Sequence, residues 1–213
     1  MKSLFIDTST KDVSIATLED NKIISLVQKD IKNEHSIYAI PYIDEVLKNS
    51  KIKKDEVEKI YVINGPGSFT GIRIGLTIAK VYSYITNINV VCISSLKAIA
   101  LSNEKGKIIS LIDAKNNNYY LGIYDDDFND EIKEQFININ DLKKILEKYK
   151  DYKITSCDDI IIENKTIKKI KLNIENIVSY YQNKKGHSSF KISPNYIKLP
   201  SALEAKKWLK KKR

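Results

Sequence analysis

Cysteine and histidine are almost missing from this chain, and each scarcity removes a class of function. Cys92 and Cys157 are the only two thiols, with no C-x-x-C spacing and no neighbouring histidine. That excludes a disulfide framework and a zinc site, and both read as ordinary core thiols. His35 and His187 stand alone, so no His-x-x-x-His metal pair and no histidine-based triad can be written. No apolar run approaches the roughly 20 residues a bilayer requires. The first residues, with a short apolar patch broken by Asp7, lack the apolar core of a secretory signal, which makes a cytoplasmic protein the expectation.

What is present is a globular composition. Of 213 residues, 42% are hydrophobic and 30% charged, enough to bury a core as one large domain or two small ones. The net charge of +9 is weak evidence for nucleic acid, because lysine is abundant everywhere along the chain together with isoleucine, asparagine and tyrosine. The densest basic run is Lys206, Lys207, Lys210, Lys211, Lys212 and Arg213. It reads as the solvated tail of a terminal helix beginning at Ser201, with a phosphate-binding arm as the alternative.

Apolar alternation predicts strands over residues 2–6, 13–18 and 23–27, an antiparallel meander. Ile37, Ile40, Ile43 and Leu47 recur at helical spacing and predict an amphipathic helix over 36–48 with Ser36 as its N-cap. A strand over 59–63, a helix over 70–86, a strand over 89–93 and a short helix capped by Ser94 and running to Leu101 follow. The meander must then grow into parallel strands through helical crossovers. After the polar break at 102–106 the pattern restarts with strands at 107–112 and 119–124, which places a boundary between a lobe over 1–104 and a second over 105–194. The later half reads as a helix near 141–149, short strands near 160–162 and 167–172, and a helix near 174–183, with the final helix folding back on the first lobe.

Four of the seven glycines fall in one stretch, Asn64-Gly65-Pro66-Gly67-Ser68-Phe69-Thr70-Gly71-Ile72-Arg73-Ile74-Gly75, which joins a strand to a helix. Backbone N–H groups at such a helix start can bind anions. The spacing, however, is neither a P-loop nor G-x-G-x-x-G. A tight turn with Ser68 or Thr70 capping the helix is the plain alternative. Gly71, Gly75, Ala79 and Ser83 recur every four residues and put a ridge of small side chains on that helix. A glycine inside a helix costs roughly 1 kcal/mol against alanine, so a close neighbour should offset it. That neighbour is either the helix at 36–48 or a partner molecule. Asp7, Thr8, Ser9 and Thr10 form a turn that can hold a phosphate or Mg²⁺ or simply bond its own backbone. The Asp125-Asp126-Asp127 cluster lacks calcium-loop spacing and reads as an exposed turn.

These residues carry a resemblance. Asp7-Thr8-Ser9-Thr10, His35-Ser36 with Pro41 and Ile43-Asp44-Glu45, the glycine segment at 64–75, Ser94-Ser95-Leu96, Asp113-Ala114-Lys115, and Pro194-Asn195-Tyr196-Ile197-Lys198-Leu199-Pro200 resemble the bacterial TsaB (YeaZ) family. The match is close over about the first 125 residues and poor between Asp126 and Ser193.

The resemblance implies an α/β, two-lobed fold of the actin and sugar-kinase ATPase type, each lobe a ribonuclease H-like mixed sheet flanked by helices. It also implies a non-catalytic role in making N6-threonylcarbamoyladenosine at position 37 of tRNAs that read codons beginning with A. The partner would be the transferase TsaD, with the ATPase TsaE docking on the pair and tRNA reached through the complex. A homodimer in isolation and a nucleotide at a subunit interface stay open, and no resident cofactor or metal is expected. The partner surface is assigned to the two helices through His35, Ala39, Ile43, Gly71, Ile74, Gly75, Ile78, Ala79 and Tyr82. Thr8, Ser9 and Thr10 carry side chains where active superfamily members have glycine, so independent ATP hydrolysis is not expected. The competing readings are a metal-assisted peptidase or ATPase acting through Asp7 and Asp113, and a tRNA-binding module using the basic tail.

Overall fold

The computed structural model describes residues 1–31, 34–163 and 165–198. Strands β1 (Lys2–Asp7), β2 (Asp12–Glu19) and β3 (Lys22–Asp30) pair antiparallel, as the alternation predicts. Helix α1 (His35–Ser50) leads to β4 (Lys59–Gly65), and α2 (Phe69–Thr86) to β5 (Val90–Ser94), both strands parallel to β1. The sheet order is β3-β2-β1-β4-β5. The short α3 (Ser95–Leu101), capped by the Ser94 hydroxyl, delivers the chain to the second lobe.

There β6 (Ile108–Asp113), β7 (Asn118–Tyr124) and β8 (Asp130–Asn138) repeat the antiparallel meander. After α4 (Ile139–Lys148), β9 (Lys153–Ser156) joins β6 in parallel, and the two-residue β12 (Lys168–Lys169) joins β9. A small hairpin, β10 (Ile161–Ile162) with β11 (Lys165–Thr166), intervenes, and α5 (Ile174–Tyr181) closes the series. The second sheet runs β12-β9-β6-β7-β8, which is the first sheet's order repeated. Two sheets of three antiparallel and two parallel strands make this the duplicated ribonuclease H-like arrangement of the actin and sugar-kinase ATPases.

The core is layered accordingly. Leu4, Ile6, Val62, Ile72 and Leu76 pack between the first sheet and helices α1 and α2. Phe5, Tyr61, Ile63, Leu96, Ile112 and Tyr124 fill the seam between the lobes, and Leu111, Leu121 and Leu142 sit beyond the second sheet under α4. Because β1 and β4 are covered on both faces, their side chains are buried without alternation, each fully buried aliphatic or aromatic contributing about 1.5–3 kcal/mol.

The structure differs from the sequence reading at several points. Ser36 does not cap α1: the N-cap position is Glu34, with no side-chain bond. Strands β8 and β9 arise where no strand was expected. From Ile174 onward the chain packs on the first lobe as well as the second. Ile174 and Ile177 join the seam with Phe5 and Leu18, the Glu175 carboxylate accepts the Ile23 N–H at 3.0 Å, and His187 pairs with Val90 through two backbone hydrogen bonds. The terminal helix expected from Ser201 and the basic run at 206–213 lie outside the described residues.

Candidate functional site

The turn after β1 is folded onto the glycine segment between β4 and α2, and the geometry explains each small residue there. The Thr8 hydroxyl donates to the Gly71 carbonyl (2.7 Å), and the Ser68 N–H donates to the Ser9 carbonyl (2.7 Å). A Cβ on Gly67 would lie 2.4 Å from the Ser9 oxygen, and one on Gly71 only 1.9 Å from the Thr8 oxygen. Ser68 caps α2 by accepting the Gly71 N–H (3.2 Å). Asp7 is buried and accepts both the N–H (2.8 Å) and the hydroxyl (2.7 Å) of Ser9. Burial pushes its carboxyl above the ordinary aspartate value, and the Ser9 bonds oppose that without cancelling it.

Of the four residues read as a degenerate phosphate turn, Thr8 and Ser9 are thus committed to internal bonds. Thr10 bonds the backbone of Asp12 and reaches the cleft between the lobes. That cleft, about 360 Å³, is lined by Asp7, Thr10, Lys11 and Asp12 from the first lobe and Cys157 and Lys169 from the second. Burial, aided by the charges of Asp7 and Asp158, pushes the Cys157 thiol up to about 12. Asp113 is not among the residues lining this cleft; it accepts the backbone N–H (2.7 Å) and the ammonium (2.8 Å) of Lys115, and its own N–H donates to the Asp158 carboxylate (2.9 Å). Burial raises its pKa, but the bonds from Lys115 outweigh that and hold it below the usual range. Among the described residues no group of three or more His, Cys, Asp or Glu side chains is placed to hold a metal.

The small-residue ridge of α2 faces neither α1 nor solvent. A Cβ on Gly75 would meet Thr8 Oγ1 at 2.5 Å and then Ile6 and Val62, so the ridge lies against β1 and β4. Gly71, Gly75 and Ala79, with His35 and Ala39 of α1, are therefore core residues of their own lobe, which corrects their assignment to a partner surface, whereas Ile43, also buried, lines the groove between the two helices. Ile74, Ile78 and Tyr82 are half-buried at its border. With the small side chains turned inward, the large ones face out: Ile37 and Ile40 on α1 are 60% and 58% exposed, and Val81 and Ile85 on α2 are 53% and 74% exposed. A groove of about 400 Å³ runs between the helices, lined by Ile40, Ile43, Ile78, Val81, Tyr82 and Ile85. The sequence reading missed Ile40, Val81 and Ile85, although an apolar stripe wider than one face of each helix was there to find them.

The chain returns to this region at its end. Asn195 N–H donates to the Asn64 carbonyl (2.8 Å), Asn64 Nδ2 to the Ser193 carbonyl (3.0 Å), and Asn195 Nδ2 to Glu134 (3.1 Å), which also accepts from Tyr124 and Ser94. Tyr196 stacks on Phe69 and its hydroxyl accepts from Arg73 Nε (2.8 Å). Residues 193–198 thereby strap the glycine segment to the seam.

Fold and site together define a protein with the two-lobed actin-like fold in which the turn after β1 is closed on itself and an apolar helix face is left open. A family model described as "TsaD: tRNA N6-adenosine threonylcarbamoyltransferase" matches residues 23–186. The tRNA threonylcarbamoyladenosine biosynthesis protein TsaB of Bacillus subtilis is 34% identical over 126 residues, 58% of this chain and 55% of that protein. The chain thus spans little more than half the length of that relative. The TsaB protein of Buchnera aphidicola subsp. Schizaphis graminum is 33% identical over 69% of this chain and 73% of its own. YeaZ from Pseudomonas aeruginosa has the same fold, with a TM-score of 0.79 at 19% identity over 92% of this chain and 99% of that one. The chain belongs to the family of that model and, within it, to the TsaB (YeaZ) proteins.

Proposed function

We propose that this chain is an accessory subunit in the synthesis of threonylcarbamoyladenosine at position 37 of tRNAs reading codons that begin with A. It docks on the transferase TsaD and does no chemistry itself. The observation that carries the reading is the open apolar face of α1 and α2, beside a turn after β1 whose Thr8 and Ser9 hydroxyls are committed internally. A contiguous apolar face of this kind marks a protein contact. The names of the matched relatives supply the pathway. TsaE docks on the pair, tRNA is reached through the complex, and the reading requires no resident cofactor. No helix among the described residues is long and apolar enough to cross a membrane.

Reconstitution tests this. The chain alone should transfer no threonylcarbamoyl group, and adding TsaD, TsaE and the adenylate-forming enzyme should produce modified tRNA. Turnover by the isolated chain that Asp7→Asn abolishes would replace the accessory reading with an enzymatic one.

A further inference from the structure

Beside the apolar groove stands one cation of distinctive construction. The chain has two arginines among its 36 basic residues, and Arg73 is the one within the described structure. Its guanidinium carbon lies 3.8 Å from the Phe69 ring centroid and 5.9 Å from that of Tyr196, and its Nε–H is taken by the Tyr196 hydroxyl. The side chain is exposed, yet ring stacking and one hydrogen bond fix its plane. The four N–H donors on the two terminal nitrogens are left over, and no described residue forms an ion pair with them.

We propose that Arg73 is the charged anchor of the docking face and takes a carboxylate of the partner protein as a forked, bidentate pair. This rests on the docking reading above and adds the partner's chemistry to it. A guanidinium fork matches a carboxylate or a phosphate, whereas lysine offers a hydrated point charge. The surroundings decide between the two ligands. The depression beside Arg73, about 410 Å³, is lined by Ile40, Phe69, Ile74, Ile78 and hydroxyl residues, with no lysine among the described residues that line it, although lysine dominates the chain. A phosphate backbone is met by several cations, while a single arginine ringed by apolar and aromatic groups is the composition of a protein-interface hot spot. Because Phe69 and Tyr196 already hold the side chain, little rotamer freedom remains to be lost on binding.

The test is titration calorimetry of the full chain against its cognate TsaD subunit at two salt concentrations, with melting curves on each variant. Arg73→Gln should weaken association by about 10- to 100-fold and flatten its salt dependence. Arg73→Lys should stay at least about tenfold weaker than the unaltered chain, since it keeps the charge and loses the fork. Tyr196→Phe, which frees the guanidinium plane, should weaken binding by about three- to tenfold with the melting temperature unchanged. Ile85→Asp serves as the control for the face. If Ile85→Asp abolishes binding while Arg73→Lys binds within about twofold of the unaltered chain, the anchor is wrong and the docking reading stands. If every variant binds normally, both are wrong. If Arg73→Gln spares TsaD but reduces tRNA binding in a salt-sensitive way, the fork takes phosphate and the carboxylate assignment is overturned.

Discussion

Thr8 and Gly71 are locked to one another. The Thr8 hydroxyl donates to the Gly71 carbonyl at 2.7 Å, and the Thr8 carbonyl oxygen stands 1.9 Å from where a Cβ on residue 71 would be. The first turn of α2 therefore touches the backbone of the turn after β1 directly, and that turn and the glycine segment behave as one unit.

Substitution along the ridge should damage folding before it touches any partner. Gly71→Ala meets a backbone oxygen that cannot rotate away, so α2 must shift, at a cost of about 1–3 kcal/mol or more. Gly75→Ala meets the Thr8 hydroxyl, which can turn at the loss of one hydrogen bond worth about 1 kcal/mol, partly offset by better helix propensity. Urea melts should rank Gly71→Ala below Gly75→Ala. They should also show Gly75→Leu unfolding the first lobe, where a ridge facing a partner would leave stability unchanged.

The exposed groove should give the opposite result. Ile40→Asp and Val81→Asp alter side chains that are 58% and 53% exposed, so stability should move by no more than about 0.5 kcal/mol. Association with TsaD, followed by co-elution in size-exclusion chromatography, should be lost in both.

Asp7 makes stability depend on pH in a defined direction. Its folded pKa is raised, mainly by burial, so the folded state holds its proton more tightly than the unfolded chain. The stability gained from that proton is present below the unfolded value near 3.8 and lost as pH rises through the folded value. Asp7→Asn has no such proton to lose. Melting temperatures taken from pH 4 upward should show the variant gaining steadily on the unaltered chain and then running parallel to it. A constant difference across the range would show that Asp7 is not protonated preferentially in the fold.

Both thiols should be inert in the native protein. Burial pushes Cys92 up to about 11 and Cys157 up to about 12, leaving almost no thiolate at pH 8. Ellman's reagent should react slowly with the folded chain and rapidly with both cysteines in urea.

Much of the first lobe can be read from the chain because its signals are local. Alternating or continuous apolar runs specify β1 to β5, Ser68 and Ser94 stand where their helices begin, and the stretch from Asn64 to Gly75 carries the family. Strand β8 escaped because its residues, Asp130 to Asn138, are mostly polar or charged and exposed or half-exposed, with two irregularities in register against β7. Strand β9 escaped because it is four residues long and its buried positions are Thr155 and Ser156. Both exist because neighbouring strands complete their backbone hydrogen bonds, which composition does not record.

The decisive question about the site was which way α2 turns its small residues. Spacing every four residues shows that something approaches Gly71, Gly75 and Ala79 closely, and it cannot say what. The sheet order supplies the answer: β1 lies beside β4, so α2, leaving the end of β4, passes directly over Ile6 and Thr8. At that separation only hydrogen or methyl side chains fit beneath the helix. Ile40, Val81 and Ile85 are consequently left on the outside, where no described residue covers them.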